Sequence, residues 1–179
     1  QHALAELLLA EVENASQHAK LALAESIRVN CITMEIKCRN MCAITECMQS
    51  NYEQAVEYWN TNLTIGQQLN SWEGVVKATA NLAVIYGLRG NSWAQAQYHL
   101  EDALHLWENH QLPLMNHKPM LYNLIHVYMV IGQQSKANTL MQRYDFENLS
   151  NYYSETASGD FESVTGYWPI NYKGFFLNY

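Results

Sequence analysis

Proline and glycine are scarce, at three and eight of 179 residues. Sandwiches and barrels need both at their many turns, so the scarcity argues against an all-β architecture and for helices. Basic residues are also few. Ten Lys and Arg stand against seventeen Asp and Glu, a formal net charge of −7. That balance offers little counter-charge to a phosphate backbone, so nucleic acid is not expected as a direct partner. Long hydrophobic runs are missing as well. The longest nearly apolar stretch, Leu7 to Ala10, falls far short of the roughly 20 residues that span a bilayer, and no membrane partner is expected. What is present is 49% hydrophobic residues over a length suited to one globular unit with a substantial core. The chain opens at Gln1 in sequence that already reads as helical, and is expected to be a piece of something longer.

Cysteine is confined to one predicted helix, where Cys31, Cys38, Cys42 and Cys47 lie within 17 residues. Three of them share a stripe, which raises the question of a thiolate metal site. Zinc motifs usually place paired ligands in turns, whereas cysteine on a helical stripe behaves as a small buried residue. No metal, cofactor or disulfide framework is therefore expected, and a reducing compartment, the cytoplasm, is favoured. The triplets beginning at Asn14, Asn62 and Asn148 fit the glycosylation pattern but arise readily by chance in an Asn-rich chain.

Self-similarity organises the sequence. Ala55, Ala96 and Ala137 fall 41 residues apart, and Ala15 lies 40 before Ala55. Four residues after each stands Ala19, Trp59, Leu100 or Met141. A second register marks the preceding helices, where Asn81-Leu82 with Tyr86 matches Asn123-Leu124 with Tyr128, and Asn40-Met41 is a weaker copy. Nine residues after each Asn comes a turn, at Gln49, Gly90 and Gly132, with glycine suited to the positive φ that ends a helix. Eight helices are predicted, at about 2–12, 14–29, 31–48, 51–69, 72–89, 91–110, 117–131 and 134–146. Pro113 and Pro119 bracket the longest connection.

The series Asn81-Leu82, Tyr86, Gly90, Ala96 and Ala103-Leu104 resembles the tetratricopeptide repeat, repeated by Asn123-Leu124, Tyr128, Gly132 and Ala137. The usual repeat is about 34 residues. The longer period here is similar to the variety found in kinesin light chains, the Pins scaffold, the maltose-regulator type of bacterial activator and peptide-sensing bacterial regulators. Gln49 stands where glycine is expected and Tyr144 where alanine is, and no proline closes a repeat. The resemblance implies an all-α, right-handed superhelix of about 3.5 to 4 helix pairs over residues 1–146, followed by an aromatic non-helical tail or cap at 147–179. Helix pairs of this kind bury their apolar faces by stacking and present an extended concave wall. Such a wall suits a peptide laid along it better than it suits catalysis, which needs a site closed to water.

The predicted wall is counted from the Asn of each unit. In the resembled family that Asn often bonds the main chain of a bound peptide, so Asn40, Asn81 and Asn123 are candidate contacts; a carboxamide offers a donor and an acceptor together. The competing role for these amides is bonding between neighbouring helices. Arg39, Lys77, Tyr122 and His126 lie at flanking wall positions, and the two cations suggest an acidic partner. His99, His105 and His110 are spaced six and five apart, too irregular for a His pair on one face, and are read as solvated. Glu101 and His105 have the four-residue spacing of a carboxylate–imidazole pair. No phosphate loop, dinucleotide fingerprint or nucleophile elbow occurs, so no enzyme activity is expected.

The reading that results is a protein-interaction scaffold holding an extended partner segment, with the oligomeric state open. Its alternatives are a ligand-sensing domain of a transcriptional regulator, and a structural subunit assembling through its convex face and tail. The tail itself has three candidate roles: a cap on the last repeat, an internal ligand, or a lead into a further domain.

Overall fold

A computed structural model describes residues 2–90, 92–113 and 118–144, with side chains described from residue 10 onward except at 88–90. The predicted tail at 147–179 and the boundary at 146 lie outside the described residues. Among the described residues seven helices follow one another: α1 His2–Arg28, α2 Ile32–Met48, α3 Tyr52–Gln68, α4 Trp72–Gly90, α5 Trp93–Asn109, α6 Lys118–Val130 and α7 Gln134–Arg143. No strand occurs among the described residues, and the chain is all-α.

The helices expected at 2–12 and 14–29 are one continuous helix of 27 residues. Neither Gly nor Pro occurs between His2 and Arg28, and Asn14 alone does not break a helix rich in Ala, Leu and Glu. No first helix therefore folds back over Ala15 and Ala22, and both are exposed. The buried positions of α1 are instead Ser16, Leu23 and Ser26. In the later helices the alanines sit as a close helix contact requires, with Ala55, Ala96 and Ala137 fully buried.

One device ends five of the helices. A residue in the left-handed region follows the helix: Asn30, Ser50, Asn70, Gln111 or Gly132. Its own N–H bonds back three residues and the next N–H bonds back five, as in Asn30 to the Ile27 carbonyl (3.0 Å) and Cys31 to the Ser26 carbonyl (2.8 Å). This is the Schellman arrangement, which satisfies carbonyls that a helix end would leave orphaned. The first turn places its positive φ on Ser50 (φ 62°), while Gln49 keeps φ −88°. Gly90 ends α4 rather than standing outside it. Asparagine tolerates the left-handed region better than most residues, and it takes that place after α1 and α3. Connections of three residues make antiparallel neighbours of the helices they join. Pro119 lies in the first turn of α6, where a missing N–H costs little.

The chain divides into two compact units, Gln1–Gly74 and Val75–Tyr179. In the first, α2 packs against both α1 and α3. Leu23, Cys38 and Cys42 form a core cluster with Ala19 and Tyr58 against it. Cys42 and Cys47 are fully buried, and burial pushes the Cys42 thiol up to about 11. Gly74 admits α2 at close range, since a Cβ there would lie 3.0 Å from Ile36 Cγ2. In the second unit, α6 packs against α5 and α7. Its core is aliphatic, with Leu100, Met120, Leu121, Leu124 and Ile125 wholly buried.

Candidate functional site

The three asparagines singled out by the repeat are interior residues. Asn81 and Asn123 are 0% exposed and Asn40 is 8% exposed. Asn40 Oδ1 accepts a 2.8 Å bond from Trp59 Nε1 on α3. The indole thus finds its acceptor on the neighbouring helix, as a buried N–H requires. A second bond crosses the same helix pair in the same sense, from α3 to α2. Asn62 Nδ2 donates to the Ile36 carbonyl at 2.9 Å, and its Oδ1 is buried without a hydrogen-bond partner.

The flanking positions are more accessible. Arg39 is half-buried and bonds Glu35 on its own helix, with Nη2 and Nε at 2.8 and 3.1 Å from Oε1. Lys77 on α4 and Tyr122 and His126 on α6 are each half-buried. The His126 ring lies 6.3 Å from that of Trp93, tilted against it, and desolvation holds its imidazole below the ordinary range. The second unit therefore brings Tyr122, Asn123 and His126 together on one helix, with Trp93 beside them, and carries Lys77 on α4. Arg39 and Asn40 belong to the first unit.

The histidines depart from the solvated reading in one case. His105 and His110 are exposed, but His99 stacks on Tyr86, ring centroids 4.9 Å apart and planes 8° from parallel. Burial lowers its basicity, and Asp102 opposes that shift. The expected Glu101–His105 pair is replaced by other partners. His105 Nε2 meets Asn109 Nδ2 at 3.0 Å. Glu101 accepts from Tyr128 Oη and Gln97 Nε2, both at 2.8 Å, and from Lys136 Nζ at 3.1 Å. Burial alone would raise its carboxyl; the three donors outweigh that and hold it below the usual carboxylate range. The choice follows from chemistry, because three donors including a cation stabilise a carboxylate more than one neutral imidazole does.

Sequence reasoning missed the carboxylates that tie helices together. Glu46 is 4% exposed and holds Lys20 Nζ at 2.7 Å and Asn51 Nδ2 at 2.9 Å. Glu108 accepts from Tyr144 Oη and from Arg143 Nη2, the latter at 2.8 Å. A readable signal existed for the second unit. Glu101 and Glu108 are seven apart, Lys136 and Arg143 are seven apart, and each acid precedes its base by 35 residues. Two helices running in the same direction with charges at matching steps fit that pattern.

Among the described residues no group of His, Cys, Asp and Glu could hold a metal ion, and no helix is long and apolar enough to cross a membrane. No protein-family model matches the chain, and no curated protein matches it in sequence. Among solved structures, the apo form of RapI is similar, with TM-score 0.63 at 18% identity over 94% of this chain. The chain spans 58% of RapI's length. At that identity the likeness concerns architecture, which makes this an all-α helical-repeat chain similar in fold to RapI.

Proposed function

We propose that the chain is a protein-interaction scaffold of the tetratricopeptide type, binding an extended peptide or partner segment along the first helices of its pairs, and that it has no catalytic role. The observation that carries this reading is the layout of α6. Its fully buried Asn123 is flanked at one residue before and three after by half-buried Tyr122 and His126. Aromatic side chains that are partly exposed, with little rotamer freedom to lose, make good contact surfaces for a partner. In this reading Tyr122, His126 and Lys77 touch the partner directly, while Asn40, Asn81 and Asn123 hold the helices at the spacing the wall needs. The partner is acidic and is drawn by Lys77 and by Arg39, whose charge Glu35 shares. Three buried thiols and one half-buried one suit a reducing compartment, the cytoplasm.

The likeness to RapI, a structure solved in its apo form, is in keeping with a fold that takes up a ligand. The test is selection of a display library of random short peptides on the full chain, with Tyr122→Ala/His126→Ala as a folded counter-target. Enrichment of acidic sequences that bind the parent and not the variant is expected. Peptides that bind both equally, or no enrichment over a blank surface, would overturn the proposal.

A further inference from the structure

The last described helix is held differently from the others. α7 has ten residues and buries two of them, Ala137 and Leu140. A helix that short is not stable by itself in water, so its order depends on what it docks against. Apart from those two side chains, its packing on α6 and a ring contact at its C-terminal end, its ties to α5 are polar. Glu101 on α5 holds Lys136, and Glu108 holds both Arg143 and Tyr144. Gln97 and Gln133 exchange amide bonds at 3.2 and 3.4 Å at the N-terminal end of α7. At the other end the Tyr144 ring leans on Trp107, with centroids 5.3 Å apart.

We propose that α7 is an ionic latch, folded and docked while Glu101 and Glu108 hold Lys136 and Arg143, and undocked by melting when those charges are removed or screened. The proposal does not depend on the binding role above. Three features support it. The cationic side chains are accessible, with Lys136 53% and Arg143 58% exposed, so salt and competing charges reach them. Both ion pairs have the same offset of 35 residues, so they form or break with one movement of the helix. Docking and folding are coupled in a helix of this length, so loss of the tether appears as loss of helical order. The two carboxylates meet Gln97 on α5, Tyr128 on α6, and Lys136, Arg143 and Tyr144 from the α7 side. Tyr128 Oη shares Glu101 with Lys136, so Glu101 keeps one partner on α6 when α7 departs. Release would uncover the surface that Ala137 and Leu140 now cover.

The test is hydrogen exchange by mass spectrometry on the full chain, read for residues 134–144. Glu101→Gln/Glu108→Gln should speed exchange there at least tenfold and leave α3 unchanged. Because changes on α5 could loosen the whole second unit, the same reading is taken on Lys136→Gln/Arg143→Gln, which alters only exposed side chains. Acceleration confined to 134–144 is expected in that variant too, and in the parent at about 1 M salt, where the Debye length falls to about 3 Å. Exchanging the charges (Glu101→Lys with Lys136→Glu) should restore slow exchange. Unchanged exchange at 134–144 in both double variants, or acceleration spread equally through α4 to α6 in both, would overturn the latch.

Discussion

The two units solve one packing problem with different chemistry. At the contact between paired helices the first unit places Trp59 and Asn62, and the second places Leu100 and Ala103 at positions 41 residues later. All four are buried. In the first unit the contact carries hydrogen bonds, Trp59 to Asn40 and Asn62 to the Ile36 carbonyl. In the second, Leu100 and Ala103 take those two positions, and Glu101 and Glu108 supply polar ties between helices. A repeat position thus specifies that a side chain is buried between helices, not whether that side chain is polar. The difference also predicts different weaknesses. A buried bond fails when one partner is removed, whereas a partly exposed ion pair fails when salt or charge changes.

The largest effect should come from the indole. Trp59→Ala removes a wholly buried ring and leaves Asn40 Oδ1 unpaired, and should cost about 3–5 kcal/mol in urea unfolding. Trp59→Leu, which copies the second unit, should cost roughly 1–3 kcal/mol, and adding Asn40→Leu should recover part of it. Additivity of the two changes would break the comparison, because it would mean that the bond carries nothing.

Next in size are the close-approach alanines. Ala96→Leu and Ala55→Leu should each overpack a helix contact at a cost of roughly 1–3 kcal/mol. Ala15→Leu, on the exposed face of α1, should stay within about 0.5 kcal/mol. Equal melting temperatures for the three would show that the repeat register has been misread.

A smaller effect concerns pH, and it belongs to the second unit. Burial holds the His99 and His126 imidazoles below the ordinary value of 6.5. The unfolded chain then binds protons that the folded chain does not, so stability falls as pH drops through 6.5 toward the depressed folded values. His99→Gln/His126→Gln should flatten that slope between pH 7 and 5 in denaturant titrations. The same slope in parent and variant would place its origin elsewhere.

The smallest effect is expected at Asn62. Asn62→Ala copies Ala103, giving up one bond to a helix carbonyl and removing an acceptor buried without a partner. The two changes oppose each other, each on the order of 1 kcal/mol, so stability should move little in either direction. A loss above about 2 kcal/mol would mean that the orphaned oxygen is satisfied in solution, for instance by a buried water.

Much of the architecture was legible in the sequence, because it rests on local rules. The period-3.6 pattern with few Gly and Pro gave helices whose bounds fall within a few residues of the expected ones. Ala55, Ala96 and Ala137 marked contacts where a larger side chain would not fit. The misreadings arose where a local signal was absent or ambiguous. Nothing between residues 12 and 14 distinguishes one continuous helix from two. After α2 the left-handed residue is Ser50 rather than Gln49, since a Schellman ending tolerates more than glycine.

The candidate site was less legible. Asn40, Asn81 and Asn123 were identifiable as equivalent positions, yet an amide facing a ligand and an amide facing the next helix have the same sequence signature. The sequence by itself determined that this chain is helical, where its later helices begin and end to within a few residues, and which of their positions must stay small, because backbone propensity and side-chain volume act over a few neighbouring residues. The tertiary structure decided which polar groups meet. Trp59 finds Asn40 and Glu101 finds Tyr128 and Lys136, because hydrogen bonds and ion pairs form between groups that the packing of whole helices brings within about 3 Å.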